Sequence, residues 1–312
     1  MKFKLGIPLS RMDIGAYVIP LGTTNGTTNA VVFGQGLMSR RDEQLNFGSK
    51  LPVTFTHHDM DTPPWWSFYK RSHLYIDGFA QTGHRGLMQF MMVPENGPDF
   101  FRDHEDDFRD VFAYLKSLRP PRYDGPVDAD LAEQGRAVFS DFCAECHGTY
   151  GKDWTYPNRR VPIAEIGTDS VRLTALEVSG REKYGRSWFA HAGEPGQQVT
   201  VADPGGYVAP PLDGIWASAP YFHNGSVPTL WGVLNPAQRP TVWRPLSESM
   251  NRESVGLEFE QVAKVPLGES DPAVRRSYFD TRRFGKSNQG HVYPDVLSDQ
   301  EKLAVLEYLK TL

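Results

Sequence analysis

Apolar residues recur at helical spacing in three stretches of the chain, and each stretch predicts a helix. The first is DFFRDHEDDFRDVFAYLKSL at 99–118, and a proline pair that cannot continue a helix follows it. Its expected apolar side consists of Phe101, Phe108, Val111, Phe112 and Leu115. The sequence RYDGPVDAD after the prolines is rich in turn-forming residues, which predicts a linker beginning at residue 122.

The second and third predicted helices lie in the C-terminal half. In DADLAEQGRAVFSDFCAECH at 128–147 the helical spacing returns, and Asp128 or Asp130 is expected to cap the start. The third helix follows the sequence SDQE at 298–301, which has the form of a capping box. Its expected apolar face consists of Leu303, Leu306 and Leu309, flanked by Val305, Tyr308 and Leu312.

The first and third predicted helices end in nearly the same eight residues. VFAYLKSL occupies 111–118 and VLEYLKTL occupies 305–312, with five of eight letters identical. This repeat predicts two related units, each of which closes with the same kind of helix. We therefore divide the chain into residues 1–122 and 123–312, and we expect a mainly α fold with long loops between the helices.

Composition and charge fit a globular protein and argue against two classes of partner. Of the 312 residues, 39% are hydrophobic, with 18 Phe, 13 Tyr and 7 Trp, which supports an aromatic-rich core. The net charge is −5 and no basic stripe is present, which disfavours nucleic acid. No apolar run reaches the roughly 18 residues of a membrane span.

The stretch at 16–34 contains the turn signal Asn25-Gly26 and predicts a short hairpin.

The only two cysteines, Cys143 and Cys146, are followed directly by His147. C-x-x-C-H is the attachment pattern of haem c. Two thiols at this spacing can each bond one vinyl group of the porphyrin, and the adjacent imidazole reaches the iron. A zinc site would need further ligands, a thiol–disulfide site is expected beside a βαβ pattern, and a free cysteine pair leaves His147 unexplained. The pattern therefore favours one covalent haem c.

Two of the predicted helices carry a second pattern that fits this interpretation. Gly135 and Phe139 lie four residues apart on one helical face, and a glycine lets another helix backbone approach closely. This resembles the crossing of first and last helices in cytochrome c domains, where Gly-x-x-x-Phe meets Leu-x-x-Tyr-Leu. Here the second pattern reads Val305-x-x-Tyr308-Leu309. The alternative is an ordinary pair of amphipathic helices.

Three further stretches resemble the bacterial di-haem cytochrome c peroxidase superfamily, and within it the rubber-oxygenase-like branch. They are PPLDGIWASAPYFHNGSVPTL at 210–230, GKSNQGHVYPDVLSDQEKLAVLEYLKTL at 285–312 and TPPWWSFYKRSHLYIDG at 62–78. The resemblance implies two haem domains, of which the N-terminal haem is reactive and the C-terminal haem passes electrons. Residues 1–110 contain no second C-x-x-C-H, so the chain departs from the group there.

The residues alone leave three candidates for the sixth ligand of the iron: a histidine, a methionine or water. The resemblance implies that His291, in SNQGHVY, binds the iron opposite His147, and Met250 is the remaining candidate. A bis-His iron would have a lower reduction potential than a Met/His iron. The resemblance also implies that His223 hydrogen-bonds a haem propionate or shapes the pocket wall.

Other side chains are assigned around the same haem. Trp216 and Tyr221 are expected to wall the pocket, with ordinary core packing as the alternative. Arg159 or Arg160 is expected to pair with a propionate, because a guanidinium fork suits a carboxylate, and a solvated arginine is the alternative. The carbonyl that orients His147 is expected within 155–169.

These observations favour an electron-transfer cytochrome with one six-coordinate haem, the relay half of a di-haem peroxidase-like protein. The alternative is a peroxidase or oxygenase that acts at an open haem. The partner would be a redox protein or a second haem domain. Haem c is attached outside the cytoplasm in bacteria, so we expect a periplasmic or extracellular protein. The N-terminal twenty residues lack the pattern of a signal peptide, and we expect either a fragment or a protein that lost its first haem.

Overall fold

The computed structural model of the protein describes residues 24, 36–48, 56, 58–191 and 200–312. Of the described residues, 41% are helical and 13% lie in strands, so the expected mainly α fold is confirmed only in part. The expected N-terminal hairpin, apart from Thr24, falls outside the described residues. Each helix in the described part is too short or too polar to cross a lipid bilayer.

Short elements make up the described part of the first half. They are a 3-10 turn Trp65–Ser67, β1 His73–Leu74, β2 Ala80–Gln81, α1 His84–Met88, a 3-10 turn Gln89–Met91, α2 Pro98–Asp103 and α3 Glu105–Ser117. Strands β1 and β2 pair antiparallel. The helix expected at 99–118 is therefore two helices, because the backbone of His104 leaves the helical region at φ −102° and ψ 13°. Val111, expected on the apolar side, is 47% exposed.

The second half combines eight helices of the described part with two small sheets. Its helices are α4 Ala129–Phe142, α5 Ala144–His147, α6 Ile163–Ile166, α7 Val171–Ala175, α8 Val178–Arg186, α9 Leu230–Leu234, α10 Pro272–Ser277 and α11 Asp299–Lys310. Its 3-10 turns are Trp188–Ala190, Ile215–Ala217, Pro236–Gln238 and Tyr293–Val296. Its strands are β3 Arg160–Pro162, β4 Gly206–Val208, β5 Val242–Asn251, β6 Gly256–Gln261 and β7 Phe279–Asp280.

Pairing of these strands brings distant segments together. Strands β3 and β4 pair antiparallel, with Val161 opposite Tyr207. Strand β5 lies between β6 and β7, and both neighbours run antiparallel to it. The β3–β4 pair places the chain that follows β4 beside the loop that precedes β3. That neighbourhood contains the C-x-x-C-H segment.

The first and last helices of the second half cross at a glycine, as the sequence predicts. A Cβ atom on Gly135 would lie 1.9 Å from the carbonyl oxygen of Ala304, so the two backbones approach to a distance that only glycine permits. The rings of Phe139 and Tyr308 are 5.3 Å apart beside this crossing. Leu303, expected on the apolar face, is 42% exposed because the crossing buries a different part of α11.

Both predicted helix caps are present. The side chain of Asp128 accepts a hydrogen bond from the amide of Leu131, at the start of α4. Ser298 and Glu301 form the reciprocal bonds of a capping box at the start of α11. These bonds satisfy amide groups that have no partner inside the first turn of a helix.

Among the residues that the structure describes, buried apolar side chains form two clusters. The first contains Phe68, Met88 and Phe101 from the first half, and Tyr184 and Phe189 from α8 and the turn after it. The second lies in the second half, around the crossing helices and α9; it contains Phe139, Tyr221, Leu230, Val305 and Leu309. Residues beyond 122 therefore contribute to the first cluster. The division into units 1–122 and 123–312 stays a prediction.

A buried ion cluster also joins the two halves. Asp77 is fully buried, and its carboxylate accepts hydrogen bonds from Arg172 at 3.2 Å and from Arg181 at 2.9 Å. Buried charges are tolerated when they are paired and hydrogen-bonded. The carboxylate therefore attaches the β1–β2 region to α7 and α8 of the second half.

Candidate haem site

The C-x-x-C-H segment forms one compact turn at the end of α4. The backbone of Cys143 leaves the helical region, and α5 begins at the next residue. The amides of Cys146 and His147 both donate to the carbonyl of Cys143, at 3.1 Å and 3.0 Å. Burial raises the pKa of Cys143 to about 12, and the nearby Cys146 adds to the rise. Both thiols and the imidazole therefore lie on a single turn, as haem attachment requires.

The turn is closed by a glycine that no other residue could replace without strain. Gly148 has φ +82°, and a Cβ atom there would lie 2.0 Å from the carbonyl oxygen of Thr155. The amide of Thr149 donates to the same carbonyl at 2.9 Å. The chain after His147 is thus folded back against residues that follow it, which fixes the direction of the histidine.

The imidazole of His147 is held by a backbone carbonyl. Its Nδ1 lies 2.8 Å from the carbonyl oxygen of Pro210, which can only accept, so Nδ1 carries the proton and Nε2 the lone pair. Burial lowers the pKa of His147, which keeps the ring neutral. The expectation of an acceptor within 155–169 is wrong. The β3–β4 pairing and a bond from the Tyr156 hydroxyl to the carbonyl of Ala209 bring Pro210 to the ring instead.

A second half-buried histidine lies close to the first. The ring centroids of His147 and His291 are 6.2 Å apart, with the ring planes at 69°. A metal–imidazole nitrogen bond is about 2 Å long, so two imidazoles that share one metal have centroids roughly 6 Å apart. Burial, with smaller contributions from His147 and Arg239, lowers the pKa of His291 to about 3. Two neutral imidazoles are therefore separated by the distance that one iron would occupy.

The buried Nδ1 of His291 has no hydrogen-bond partner within the described part of the chain. A buried polar atom without a partner is uncommon in a protein interior. The paired rings, the adjacent thiols and this nitrogen all fit haem c. The residues present are therefore suited to hold that group.

The segment that carries His291 has an unusual backbone. Gly290 has φ +81° and His291 has φ +48°, and the His291 amide donates to the carbonyl of Ile166 at 2.7 Å. A Cβ atom on Gly290 would lie 2.3 Å from the backbone of Gly167, so the two chain segments touch there. The ring of Phe222 is 6.1 Å from that of His291. The sequence alone gave no signal for Phe222.

Trp216 and Tyr221, expected as pocket walls, make their contacts elsewhere. The indole nitrogen of Trp216 donates to the carbonyl of Pro121 at 3.2 Å, and its ring packs on Tyr123. The Tyr221 hydroxyl lies 3.2 Å from the carbonyl of Ile215, and the ring is buried in the second cluster. These contacts favour the core-packing alternative, and a role for either residue at the haem stays a prediction.

His223 is half-buried beside Tyr207, with ring centroids 4.7 Å apart. Its Nε2 has no hydrogen-bond partner among the residues that the structure describes. Burial, and then the positive charge of Arg172, lower the pKa of His223 to about 3, so the ring is neutral. A hydrogen bond from this nitrogen to a haem propionate stays a prediction.

Arg159 and Met250 complete the predicted set. Arg159 forms an ion pair with Glu145, which lies between the two cysteines in the sequence. Arg160 instead donates to the carbonyls of Asp77 and Gly78, at 3.2 Å and 3.1 Å. Met250 lies in β5 opposite Leu257. Arg159 is therefore near the attachment turn, and its pairing with a propionate stays a prediction.

Sequence reasoning missed one half-buried cation in this region. Arg239 follows α9, and its guanidinium donates to carbonyls of the segment that carries His291. Burial lowers the pKa of Arg239 to about 10, which leaves it charged at neutral pH. A single arginine in QRPTVW has no pattern that distinguishes it from a surface residue. Only the folded chain reveals its partners.

Comparisons with known proteins support a cytochrome assignment for part of the chain. A family model described as RoxA-like, cytochrome c-like matches residues 206–244. The matched segment contains β4, α9, His223 and Arg239. Residues 206–244 are thus similar to a cytochrome c-like domain, and such domains bind haem.

Two proteins of Sinorhizobium fredii (strain NBRC 101917 / NGR234) are similar to the chain over a larger part. Protein y4iJ, described as uncharacterized, is 32% identical and aligns with 62% of this chain and 41% of its own length. Protein y4iM, also described as uncharacterized, is 29% identical and aligns with 64% of this chain and 53% of its own length. The chain spans about half the length of these curated relatives.

A solved structure of hydrazine synthase from Kuenenia stuttgartiensis, pressurized with xenon, aligns with 96% of this chain and 92% of its own. The sequence identity is 17% and the TM-score is 0.32. A TM-score this low does not establish a shared fold.

Proposed function

We propose that this chain is a c-type cytochrome that transfers single electrons through one covalent haem c. Cys143 and Cys146 would form the thioether links, and His147 and His291 would be the two axial ligands. The bound haem would supply an iron centre that cycles between two oxidation states. The 6.2 Å separation of the two imidazole rings is the observation that carries the proposal.

The protein's own groups support six-coordinate iron. The carbonyl of Pro210 accepts the Nδ1 proton of His147, which directs the Nε2 lone pair away from the backbone. Burial keeps both imidazoles neutral, the form that binds a metal. Two protein ligands would leave no open position for peroxide or dioxygen. This arrangement favours an electron relay over an enzyme acting at an open haem.

We further propose that the relay belongs to a di-haem protein of the cytochrome c peroxidase superfamily, in the rubber-oxygenase-like branch. The RoxA-like, cytochrome c-like match at 206–244 supports the cytochrome c-like part of this proposal, and the greater length of the relatives is compatible with a further domain. Under this proposal the units 1–122 and 123–312 are two cytochrome c-like domains. Because cytochrome c-like domains are typically exported, we place the protein in the periplasm or outside the cell.

The first experiment is a pyridine haemochrome assay on protein produced in a host that exports and matures cytochromes c. We expect one covalent haem per chain, and its loss when both cysteines are replaced by alanine. A wild-type protein without a haem c signature would refute the proposal that this chain is a c-type cytochrome.

The second experiment tests the sixth ligand. The His291→Ala variant should keep its covalent haem and change from a low-spin to a high-spin ferric spectrum, because one axial ligand is removed. Replacing the exposed His191 with alanine is the matched control and should change nothing. If the Met250→Leu variant becomes high-spin while His291→Ala stays low-spin, the sixth ligand is Met250 and not His291.

The relay and the enzyme differ in their response to peroxide. The wild-type protein should cycle reversibly by one electron and keep its visible spectrum in hydrogen peroxide. Rapid bleaching, together with a high-spin resting spectrum, would favour the peroxidase or oxygenase alternative.

A further inference from the structure

Arg239 is anchored to the C-terminal turn of α9. Its Nε donates to the carbonyl of Gly232 at 3.0 Å, and its Nη2 lies 3.3 Å from the carbonyl of Val233. The last carbonyls of a helix have no partner inside the helix, and a cation satisfies them well. Helix α9 belongs to the second core cluster through Leu230 and Leu234. The guanidinium is thus attached to a packed element.

The same guanidinium holds the segment 288–291. Nη1 donates to the carbonyls of Asn288 and Gly290, at 2.8 Å and 2.7 Å. Nη2 donates to the carbonyl of His291 at 3.2 Å. The guanidinium carbon lies 4.8 Å from the ring centre of Phe222, so the Phe222 ring packs against the guanidinium. All three nitrogens therefore bond backbone carbonyls, and three of those carbonyls belong to the segment that presents His291.

This segment needs bonds from outside to keep its conformation. His291 has φ +48°, in the left-handed region that residues with a Cβ atom rarely adopt. Within the described part of the chain, one hydrogen bond, from the His291 amide to the carbonyl of Ile166, holds the residue from its other side. Without the guanidinium, the chain would be free to return to an extended backbone, and the ring would turn away from His147.

We propose that Arg239 is the positioning residue for His291: its bonds to the carbonyls of Asn288, Gly290 and His291 hold the imidazole facing His147. This inference rests on the proposed function, because it assumes that His291 closes the sixth position of the iron. A lysine cannot replace this arginine. Its ammonium is a single point with three donors, whereas the guanidinium is a flat fork that reaches carbonyls on two segments at once.

The test is the Arg239→Lys variant of the holoprotein, which keeps the positive charge and removes the fork. Covalent haem content should equal that of wild type, because the thiols lie on another segment. The ferric spectrum should show a high-spin fraction, and added imidazole should bind at least tenfold more tightly than to wild type. Saturating imidazole should restore the low-spin spectrum. A purely structural role would lower the unfolding temperature and leave imidazole affinity unchanged.

The matched control is Arg282→Lys. Arg282 lines the same cleft of about 420 Å³ as Arg239, but it is exposed and pairs with Asp280 at 2.8 Å. Its replacement should leave both the spectrum and the imidazole affinity at wild-type values. An equal gain of imidazole affinity in this control would mean that any arginine-to-lysine replacement at the cleft has this effect, without the bonds to the segment 288–291, and would overturn the inference.

A second variant covers the case in which Arg239→Lys does not fold. The Asn288 side chain donates to the carbonyl of Pro240, the residue after Arg239, at 3.0 Å. Asn288→Ala loosens the attachment of the same segment to the Arg239 region without changing charge, so it should raise imidazole affinity in the same direction by a smaller factor. An unchanged affinity in Asn288→Ala, or in a folded Arg239→Lys, would overturn the inference.

The outcomes separate this inference from the proposed function. If His291→Ala keeps a low-spin six-coordinate spectrum, His291 is not the ligand, and both its assignment and the positioning role of Arg239 fail; the haem c proposal itself fails only if the haemochrome assay finds no haem c. If His291→Ala opens the site, but Arg239→Lys binds imidazole no more tightly than wild type, only the positioning role of Arg239 fails.

Discussion

Replacing Gly135 with alanine should force helices α4 and α11 apart. The added Cβ atom would lie 1.9 Å from the carbonyl oxygen of Ala304 and 2.9 Å from the amide nitrogen of Val305. A Cβ atom essentially never lies within 3.0 Å of such atoms, and neither neighbour is a flexible side chain. The helices would therefore have to separate by about 1 Å, since close-packed interiors have little free space.

The expected cost follows from two opposing effects. Forcing an extra carbon into a packed contact costs about 1–3 kcal/mol, and the separation also loosens the contact of Phe139 with Tyr308. Alanine is favoured over glycine inside a helix by about 0.5–1 kcal/mol, which offsets part of this cost. We expect a net loss of about 1 kcal/mol in the free energy of unfolding, equivalent to a fall in Tm of roughly 2–4 °C.

The assay is denaturant and thermal unfolding followed by circular dichroism, with Gly86→Ala as the matched control. Gly86 also lies in a helix, but its Cβ atom would meet only the Tyr184 hydroxyl at 3.3 Å and a Leu74 methyl group at 3.6 Å. Those side-chain ends can shift, so the control should stay within about 0.5 kcal/mol of wild type. A Gly135→Ala protein at least as stable as wild type would show that the helices do not touch at this residue.

Three further predictions concern charges and a cap. Asp77→Asn should lower the free energy of unfolding by about 3–5 kcal/mol in urea, because Arg172 and Arg181 lose their shared buried partner; a loss below 1 kcal/mol would mean that the pair is solvated. Burial raises the pKa of Asp61 to about 8, so the folded state binds an extra proton between the ordinary carboxyl pKa of 3.8 and about 8. The free energy of unfolding should therefore fall across that window as pH rises, by at most about 1.4 kcal/mol per pH unit. A series of thermal melts at different pH values should show this slope for wild type and not for Asp61→Asn. An unchanged slope in the variant would contradict the assignment to Asp61. Ser298→Ala removes the capping box of α11 and should lower the free energy of unfolding by about 1 kcal/mol in the same thermal melts. If stability does not fall, packing alone determines where this helix begins.

Local signals in the sequence predicted local structure well. The caps at Asp128 and Ser298, the end of α3 before the proline pair, and the glycine at the helix crossing are all present. Each of these features depends on residues within one or two helical turns, or on the absence of a side chain. Hydrogen-bonding groups and steric size act at that range whatever surrounds them.

Expectations that depended on a partner surface were less accurate. The apolar stripes of α3 and α11 were predicted correctly as stripes, yet Val111 and Leu303 are exposed. Which part of a stripe is buried depends on the shape of the element that covers it. The interruption at His104 likewise had no local signal, since the apolar spacing continues through it.

The sequence by itself determined that the two thiols and the imidazole lie together, because three groups within five residues need only one turn to meet. The tertiary structure alone decided which carbonyl orients His147, which of the distant histidines faces it, and that Arg239 holds the facing segment. These choices arise from the pairing of β3 with β4 and the packing of α9, which bring together residues far apart in the chain. No local pattern encodes such distances, since they are set by how separately formed elements fill the same space.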